Sequence, residues 1–591
     1  MVSTGAERRT AIATVCLSGT LEDKLAAASA AGFDGVEIFE NDLLASRLSP
    51  AGIRRHCADL GLSIDLYQPF RDFEAVPPEL FRANLRRAAR KLDLMAELGT
   101  GTVLVCSSVS PDAVDDDELA AEHLHALAEL AGERGMRIAY EALAWGRFVN
   151  TYQRSWRIVR RAAHPALGLC LDSFHILSVG GDPAAIRTIP GEKIFFVQLA
   201  DAPRLAMDVL QWSRHHRLFP GQGEFDLTAF TGHVLATGYA GPLSLEVFND
   251  VFRQADPRLT AVDAMRSLLA LQESLGLVEL PEAPALHGHA FAELAASSGE
   301  DVGKVLAGLG FSVAGHHRSK PVSLWAQGGA RVLVNETGER TAIAVESEDP
   351  ERSARRAAAF LAQPLPRGRE AVAAPDSTEL FFCGSEDWLA DFDLTGETGE
   401  TANTAGITGI DHVALTQPFD QFEEAALFYR SVLGLRLEPV VEFAAPFGLV
   451  RSRAAAHQGV RLTLDTALVR RGEWAPAVRE PQHIAFATGD AIASAKAMRA
   501  LGAPLLEIPG NYYDDLEARL DLDPELLAEL RAESVLYDRD EHGEFLHFYT
   551  DLAGERVFFE VVQRVGGYRG YGVANAPIRM AAHRDRRLSA R

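Results

Sequence analysis

Short apolar runs alternate with longer amphipathic stretches along the first part of the chain, from residue 10 to residue 276. The amphipathic stretches have the spacing of surface helices. The apolar runs are nearly continuous, which is typical of strands that a parallel sheet buries on both faces. We predict eight strands, at Thr10–Leu17, Gly35–Glu40, Ser63–Tyr67, Thr102–Cys106, Arg137–Ala142, Gly168–Ser173, Lys193–Asp201 and Pro242–Val247.

Helix signals stand between the predicted strands. Thr20 can cap a helix that starts at Leu21 and ends before Gly32. Ser49 followed by Pro50 is a second helix start, because proline suits the first helical position. Eight strand–helix units in about 270 residues have the size of a TIM barrel. We therefore predict an α/β fold with an N-terminal (β/α)8 TIM barrel in residues 1–277; the alternative is an open doubly wound sheet.

The remainder of the chain divides at two segments that lack periodicity. Residues 278–286 are proline-rich and residues 396–408 are small and polar, so we interpret both as linkers. The regions 287–395 and 409–575 begin alike, with HGHAFAEL and GIDHVALT, and each continues into a helix and several short strands. This pattern indicates α+β tandem modules of βαβββ type. Residues 576–591 form a basic tail, which we expect to be frayed.

Charge and composition exclude several classes of function. The net charge of −24 argues against nucleic acid as a partner, because binding of phosphates requires a basic surface. The start of the chain lacks the apolar core of a signal peptide, and no run reaches the ~18 apolar residues of a membrane span. The five cysteines are widely spaced without a CxxC pair, as expected of buried free thiols in a reducing compartment. We expect a cytoplasmic protein without a membrane partner.

Polar residues end four consecutive predicted strands. Because the carboxyl ends of barrel strands carry the active site, these side chains are expected to converge. Burial of four such groups is costly unless a divalent cation pairs with them, and an all-oxygen set suits Mg²⁺ or Mn²⁺. The alternative is a metal-free cluster of hydrogen-bonded acids. The residues are Glu141, Asp172, Gln198 and Glu246.

Motifs around these residues carry a family resemblance. GVEIFE, YEALAW, CLDSFHIL, VQLADA and LSLEVFND resemble the xylose-isomerase-like TIM barrels that bind a divalent metal. YQPFRDFE, at 67–74, and SRHHRLFPGQG, at 213–223, resemble bacterial 3-dehydroshikimate dehydratases of the fused, two-part type. The resemblance implies a metal-dependent dehydration of 3-dehydroshikimate to protocatechuate in quinate and shikimate catabolism. The small-molecule substrate would then be 3-dehydroshikimate, and the metal Mg²⁺, Mn²⁺ or Co²⁺.

The same resemblance assigns roles to individual residues. Glu141, Asp172, Gln198 and Glu246 become the metal ligands. Arg71 and Arg217 face the substrate carboxylate, for which an arginine fork is suited, and Ser213 contacts the substrate. His175 is the expected base, because its pKa lies close to working pH; a purely structural role in orienting Asp172 is the alternative. Glu37 either supports the ligands or positions a substrate hydroxyl.

A second set of candidate ligands lies in the last region. His412, His483 and Glu560 occur on its first strand, on the matching strand of its second half and on its final strand. Two histidines and one carboxylate form the facial triad of non-haem iron oxygenases. The sequence therefore predicts a possible second divalent metal there, Fe²⁺ or Mg²⁺.

The surrounding motifs resemble the vicinal-oxygen-chelate fold, in particular hydroxyphenylpyruvate dioxygenase. FFEVVQR and GGYRGYG match the end of its metal-binding half, and residues 315–336 match its degenerate, metal-free half. The resemblance fails where that family holds its substrate, since His547 replaces a glutamine and residues 437–448 lack the serine-bearing stretch. Whether this half is catalytic, binds another ligand or serves oligomerisation and stability is open.

Two other functions compete with the dehydratase. One is a sugar isomerase or epimerase on the same barrel, against which Arg71 and Arg217 argue because they suit an anionic substrate. The other is a dioxygenase in the C-terminal region, with the barrel as an accessory; the retained barrel ligands argue against it. We expect a homo-oligomer.

Overall fold

The protein forms two compact units, Met1–Glu279 and Leu280–Arg591, in a computed structural model. The structure describes residues 8–295, 299–337, 341–395, 405–446, 448–467, 481–553 and 557–589. Of the second predicted linker, residues 396–404 lie outside this described part. No helix among the described residues is long and apolar enough to cross a membrane.

Eight parallel strands close into a barrel in the first unit, each paired with the next and β8 with β1. The predicted TIM barrel is therefore confirmed, and the open-sheet alternative is wrong. The strands are β1 Thr10–Ala13, β2 Gly35–Phe39, β3 Ser63–Phe70, β4 Thr102–Cys106, β5 Arg137–Glu141, β6 Leu167–Asp172, β7 Ile194–Leu199 and β8 Leu243–Leu245.

Helices connect and cover the barrel strands. The helix starts predicted at Thr20 and Ser49 are confirmed, since each side chain accepts a hydrogen bond from a backbone N–H of the first turn. The helices are α1 Leu21–Ala30, α2 Glu40–Ala45, α3 Pro50–Asp59, α4 Pro78–Leu98, α5 Asp117–Gly132, α6 Tyr152–Ala162, α7 Ser173–Leu177, α8 Val209–His215, α9 Leu227–Leu235 and α10 Pro257–Ser274, with 3-10 turns at Thr14–Cys16, Pro183–Thr188 and Gly191–Lys193.

The main difference from the predicted strands is at the first one. It ends at Ala13, and the apolar residues after it form the 3-10 turn Thr14–Cys16. These residues are fully buried in the turn. A run of apolar residues therefore predicts burial, but it does not distinguish a buried strand from a buried turn.

The first sheet of the second unit contains nine strands in the order β14-β15-β16-β13-β9-β12-β11-β10-β17. Its strands are β9 Leu286–Ala295, β10 Ser312–His317, β11 Val322–Gln327, β12 Ala330–Asn335, β13 Ala342–Ser347, β14 Gln363–Pro364, β15 Ala371–Ala373, β16 Glu379–Cys383 and β17 Phe392–Leu394. Its helices are α11 Gly299–Gly308 and α12 Pro350–Ala359, with a 3-10 turn at Asp387–Asp391.

The second sheet has the order β19-β21-β22-β18-β23-β26-β25-β24, with β20 paired to β21. Its strands are β18 Ile407–Thr416, β19 Arg436–Leu437, β20 Val441–Ala445, β21 Gly448–His457, β22 Val460–Ala467, β23 Pro481–Thr488, β24 Leu536–Arg539, β25 Gly543–Tyr549 and β26 Phe558–Gly566. Its helices are α13 Phe422–Leu433, α14 Ala491–Ala500, α15 Gly510–Arg519, α16 Pro524–Glu533 and α17 Ala576–Ser589, with 3-10 turns at Phe419–Gln421 and Val573–Asn575.

The tandem α+β modules are confirmed, and the internal duplication is deeper than the sequence indicated. Each of the two sheets contains two strand–helix–strands units, so that β9 and β13 in the first sheet correspond to β18 and β23 in the second. The segment expected to be a frayed basic tail instead forms α17, in which Met580 and Ala582 are buried. The prediction was wrong because the many arginines of this segment outweighed its few apolar residues, which pack the helix against the rest of the unit.

Candidate functional site

The four polar residues that end consecutive strands lie together at one end of the barrel. Glu141 and Asp172 are the last residues of β5 and β6, Gln198 is the last but one of β7, and Glu246 directly follows β8. Parallel pairing aligns Asp172 with Gln198 on the neighbouring strand. All four residues are at most 4% exposed. The fold therefore concentrates three carboxylates and an amide out of contact with bulk water.

Glu141, Asp172 and His175 form a group with the spacing of metal ligands. One candidate ligand atom from each residue lies within 4.8 Å of the others. Nε2 of His175 is 3.8 Å from Oε1 of Glu141 and 3.7 Å from Oδ2 of Asp172. In the described part of the chain, Oε1 of Glu141 is buried without a hydrogen-bond partner. Since a buried carboxylate oxygen is rarely left unpaired, this atom fits a divalent cation.

Arg217 is the main cation among these acids. Its Nη1 donates to Oδ2 of Asp172 at 2.8 Å and to Oε2 of Glu246 at 3.0 Å, while its Nη2 donates to Ser213 Oγ at 2.8 Å. The guanidinium also lies over the ring of Phe174, 4.6 Å from the centroid. Arg217 is 1% exposed, so it serves the buried cluster and does not extend into open space.

The carboxylates differ in pKa because burial and Arg217 act on them unequally. Burial raises the pKa of Glu246 to about 7, an effect that Arg217 partly offsets. Burial, followed by repulsion from Asp172, raises the pKa of Glu141 well above its usual range. For Asp172, burial is outweighed by Arg217 and His175, which hold its pKa below the usual value. Arg217 and His175 thus compensate the burial of Asp172, while the burial of Glu141 is left largely uncompensated.

Glu37 lies beneath the cluster and holds Gln198 in place. Its carboxylate accepts from Nε2 of Gln198 at 2.6 Å and from Nε2 of Gln68 at 2.8 Å, and Ser244 donates a further short hydrogen bond. This arrangement fixes which end of the Gln198 amide is nitrogen, and the Oε1 end lies 3.3 Å from the Cys170 thiol. Of the two roles considered for Glu37, the geometry favours support of a ligand.

Hydrogen-bond donors face both nitrogens of the His175 ring. The backbone N–H of Ala144 donates to Nδ1 at 3.1 Å, and Nη2 of Arg217 lies 3.3 Å from Nε2. The edge of the ring packs against Trp145, with the centroids 4.9 Å apart. Burial lowers the pKa of His175 to about 4, so the ring is neutral at physiological pH and, contrary to the expectation from the sequence, its pKa does not lie close to working pH.

The other residues predicted to contact the substrate differ in their distance from the buried cluster and in their exposure. Ser213 is fully buried and contacts Arg217. Arg71 is exposed. Burial raises the pKa of the Cys106 thiol well above its usual range, and Arg71 lies close enough to oppose this shift in part. His215 pairs with Asp250 at 2.9 Å. The structure therefore brings Ser213 and Arg217 into the cluster and leaves Arg71 at its solvent side.

The second predicted triad also converges. Oε2 of Glu560 lies 3.3 Å from Nε2 of His412 and 3.1 Å from Nε2 of His483, and the two histidine nitrogens are 3.3 Å apart. All three residues are buried. Two imidazole nitrogens and one carboxylate oxygen at this spacing fit a divalent cation.

Outer residues orient the triad. His412 donates from Nδ1 to Asp411 at 2.8 Å, which directs Nε2 toward the other two residues. Arg564 donates two hydrogen bonds of 2.8 Å to the Asp411 carboxylate. His547 is fully buried and contacts the other oxygen of Glu560 at 2.7 Å. The residue that departs from the dioxygenase pattern is thus a support of the triad.

Sequence reasoning missed several supporting residues. The thiols of Cys106 and Cys170 donate at 3.3 Å to Glu141 and Gln198, and Gln68 shares Glu37 with Gln198. Both cysteines lie inside apolar strands, where a thiol is indistinguishable from a small core residue. Arg564 directly follows the FFEVVQ run. Its contact with Asp411 could be predicted only from the strand order, which places β26 two strands away from β18.

Comparisons with known proteins agree with this architecture. Three family models match the chain: xylose isomerase-like TIM barrel at residues 25–271, the N-terminal part of hydroxyphenylpyruvate dioxygenase at 282–359, and the glyoxalase, bleomycin resistance protein and dioxygenase superfamily at 409–525. The fold and both sites therefore define a fusion of a xylose isomerase-like barrel with a dioxygenase-like region.

Relatives of nearly full length identify the family. The chain is 48% identical to the 3-dehydroshikimate dehydratase of Pseudomonas putida, over 97% of each chain. It is 47% identical to that of Pseudomonas aeruginosa, over 98% of this chain and 99% of the other. A solved xylose isomerase-like TIM barrel/4-hydroxyphenylpyruvate dioxygenase fusion protein is 46% identical, with a TM-score of 0.90 over 98% of this chain and 100% of that one. The chain belongs to the 3-dehydroshikimate dehydratase family.

Proposed function

We propose that the barrel dehydrates 3-dehydroshikimate to protocatechuate with the help of a divalent cation. The observation that carries this proposal is the buried cluster of Glu141, Asp172 and Glu246, in which one carboxylate oxygen lacks a partner among the described residues. The relationship to 3-dehydroshikimate dehydratases over nearly the whole chain supports the choice of substrate.

The ligands proposed for this cation are Glu141, Asp172, Gln198 and Glu246. Three carboxylates and an amide oxygen suit Mg²⁺, Mn²⁺ or Co²⁺ better than a thiophilic ion. When bound, the cation supplies Lewis-acid polarisation of the substrate ketone. Arg217 adds one positive charge to the three acids, which reduces their mutual repulsion before the cation arrives.

His175 is the proposed base for the C–H next to the ketone. Its ring is neutral at physiological pH, because burial lowers its pKa to about 4. Donors face both ring nitrogens, the Ala144 N–H at Nδ1 and Nη2 of Arg217 at Nε2. A ring nitrogen can therefore accept the substrate proton once its present donor moves away.

The remaining steps balance without an oxidant. Loss of the ring C–H proton and of the neighbouring hydroxyl releases one molecule of water from the substrate. One further proton moves from a ring carbon to the ketone oxygen, and the ring becomes aromatic. Arg71, at the solvent side of the cluster, is proposed to hold the substrate carboxylate, because an arginine fork matches that group.

The triad of His412, His483 and Glu560 is proposed to bind a second divalent cation, Fe²⁺ or Mg²⁺. Its support comes from the buried convergence of the three side chains and from the Arg564–Asp411–His412 chain of hydrogen bonds behind it. His547, which stands where the dioxygenase family has a glutamine, contacts Glu560 at 2.7 Å and therefore supports this cation site.

We further propose a cytoplasmic location for the protein. The five cysteines are free and buried, as expected of a protein that works in the reducing cytoplasm. The homo-oligomer stays a prediction. The direct test of function is incubation of the purified chain with 3-dehydroshikimate and Mg²⁺ or Mn²⁺. Appearance of the aromatic absorption of protocatechuate is the expected result, and turnover of neutral sugars alone would contradict the proposal.

A further inference from the structure

A cavity of about 420 Å³ lies on one face of the first sheet of the second unit. Volumes of this order are typical of sites for small organic ligands. Neither the barrel chemistry nor the second metal triad involves these residues. The cavity therefore needs an explanation of its own.

The three residues of the proposed metal triad lie on β18, β23 and β26 of the second sheet, and their pairing can be compared with that of the first sheet. His412 on β18 and Glu560 on β26 both lie opposite Ala485, on the strand between them. His483 precedes Ala485 by two residues and points to the same face. In a sheet with this strand order, the three places that can hold metal ligands are therefore the two residues paired with the central alanine and the residue two positions before that alanine.

The first sheet repeats the same register with different residues. Phe291 on β9 and Phe381 on β16 both lie opposite Ala344, on the strand between them. Ala342 precedes Ala344 by two residues. Phe291, Phe381 and Ala342 therefore occupy the three ligand positions, and all three line the cavity. The space that holds the triad in the second sheet is retained in the first, with an apolar and aromatic lining.

Four aromatic side chains line one part of the cavity: Phe291, Phe381, Trp388 and Phe392. The ring of Phe291 lies 4.8 Å from that of Trp388 and 5.9 Å from that of Phe381. Phe392 packs edge-on against Trp388, with the centroids 5.9 Å apart. A wall of this kind favours a flat ring as ligand, because aromatic contacts add to the burial of apolar area.

One polar pair lies beside the aromatic wall. Nδ2 of Asn335 donates to Oε1 of Glu293 at 2.7 Å. Burial raises the pKa of Glu293, while Asn335 acts in the opposite direction. The pair offers carboxylate oxygens beside an amide, which suits a ligand hydroxyl that can donate a hydrogen bond.

Basic side chains surround the entrance. Arg367 is paired with Glu379, and Arg369 donates to Asp391 at 2.8 Å. Lys320 is exposed and makes no ion pair with any residue that the structure describes. Lys320 is therefore the cation that a negatively charged ligand group can reach without breaking an existing pair.

We propose that this cavity binds a small hydroxylated aromatic carboxylate. The ring would contact Phe291, Phe381 and Trp388, a hydroxyl would face the Glu293–Asn335 pair, and the carboxylate would lie toward Lys320. This inference is independent of the reaction proposed for the barrel, because it rests on residues of the first sheet alone.

The test is calorimetric titration of the chelator-treated, full-length protein with 4-hydroxybenzoate, and with 4-hydroxybenzyl alcohol as the ligand that lacks the carboxylate. Ala342→Leu places a larger side chain in the cavity, and Lys320→Gln removes the cation that makes no ion pair. Arg318→Gln is the matched control, since it removes a nearby exposed charge that does not line the cavity. Thermal unfolding verifies that each variant is folded.

We expect saturable binding of 4-hydroxybenzoate that Ala342→Leu removes and Lys320→Gln weakens about two- to fivefold, the effect of one partly solvated charge. Arg318→Gln should bind like the natural sequence, and the alcohol should bind more weakly. Absence of saturable binding at millimolar concentration overturns the proposal, as does binding that neither cavity variant changes. Binding removed by Ala342→Leu but unchanged by Lys320→Gln would contradict the carboxylate assignment. Because Lys320 is exposed, the Lys320→Gln result stands even if Ala342→Leu misfolds.

Discussion

Nη1 of Arg217 donates at the same time to the carboxylates of Asp172, at 2.8 Å, and Glu246, at 3.0 Å. These acids come from different barrel strands, so one buried nitrogen links two proposed metal ligands. The link relieves repulsion between the acids, and it makes Arg217 a structural part of the site as well as a candidate for substrate contact.

Replacement of Arg217 should damage stability and catalysis together. Arg217→Ala leaves buried carboxylates without their partner, which costs about 3–5 kcal/mol of unfolding free energy. Arg217→Lys keeps the charge but loses the fork, so it should recover part of the stability. Urea unfolding measures the effect, with Arg204→Ala as the control for loss of an exposed arginine on a neighbouring segment. Stability and kinetics of Arg217→Ala equal to those of Arg204→Ala would contradict this role.

Arg71 allows a cleaner test of substrate charge, because it is exposed and outside the buried cluster. Loss of a charge-assisted bond to the carboxylate is worth about 1.5–3 kcal/mol, so Arg71→Ala should lower kcat/KM for 3-dehydroshikimate roughly 10- to 150-fold. Unfolding should be unchanged, and Arg71→Lys should recover part of the activity. If Arg71→Ala and Arg217→Ala both kept natural kinetics, the carboxylate would be held elsewhere, with His215 and His216 the next candidates.

Glu37→Met should weaken metal binding, although Glu37 itself is not a proposed ligand. The substitution removes both carboxylate oxygens, so the Nε2 groups of Gln68 and Gln198 lose their acceptor and Gln198 is no longer held in place. Loss of such an outer support typically lowers metal affinity 10- to 100-fold. Titration with Co²⁺ monitored by its visible absorption measures the change, and Glu133→Met on the surface is the control. An unchanged affinity would show that Gln198 needs no such support.

His412→Ala should separate the two metal sites. The substitution removes one ligand of the second triad, so bound metal should fall by about one equivalent per chain. Dehydration of 3-dehydroshikimate should continue at the natural rate, because no barrel residue changes. Metal analysis of the purified protein and steady-state kinetics give the two readouts. A folded His412→Ala protein that has lost dehydration would mean that the two sites are coupled.

The sequence predicted the barrel and the convergence of the polar side chains at its strand ends, for a clear physical reason. Glu141 and Asp172 each end an apolar strand, and a parallel barrel brings strand ends together whatever the loops do. Arg217 shows the limit of such reasoning. It lies on an irregular segment after α8, where no periodicity predicts that the side chain turns inward and binds two acids.

The dioxygenase-like region illustrates the same limit on a larger scale. Its triad was predictable because His412, His483 and Glu560 stand on strands with recognisable motifs. The cavity of the first sheet was not, because Phe291 and Phe381 look like ordinary core residues until the strand register is known. Similarly, α17 reads as a basic tail, since only its three-dimensional environment reveals the buried Met580 and Ala582.

The most direct test of the account is dehydration of 3-dehydroshikimate before and after exhaustive chelation of the full-length protein, followed by addition of single metals. The buried cluster of Glu141, Asp172, Gln198 and Glu246 predicts that chelation abolishes formation of protocatechuate and that Mg²⁺, Mn²⁺ or Co²⁺ restores it. Glu141→Ala should stay inactive whichever metal is added. Full activity in the chelated protein, or in Glu141→Ala, would contradict the metal-dependent mechanism.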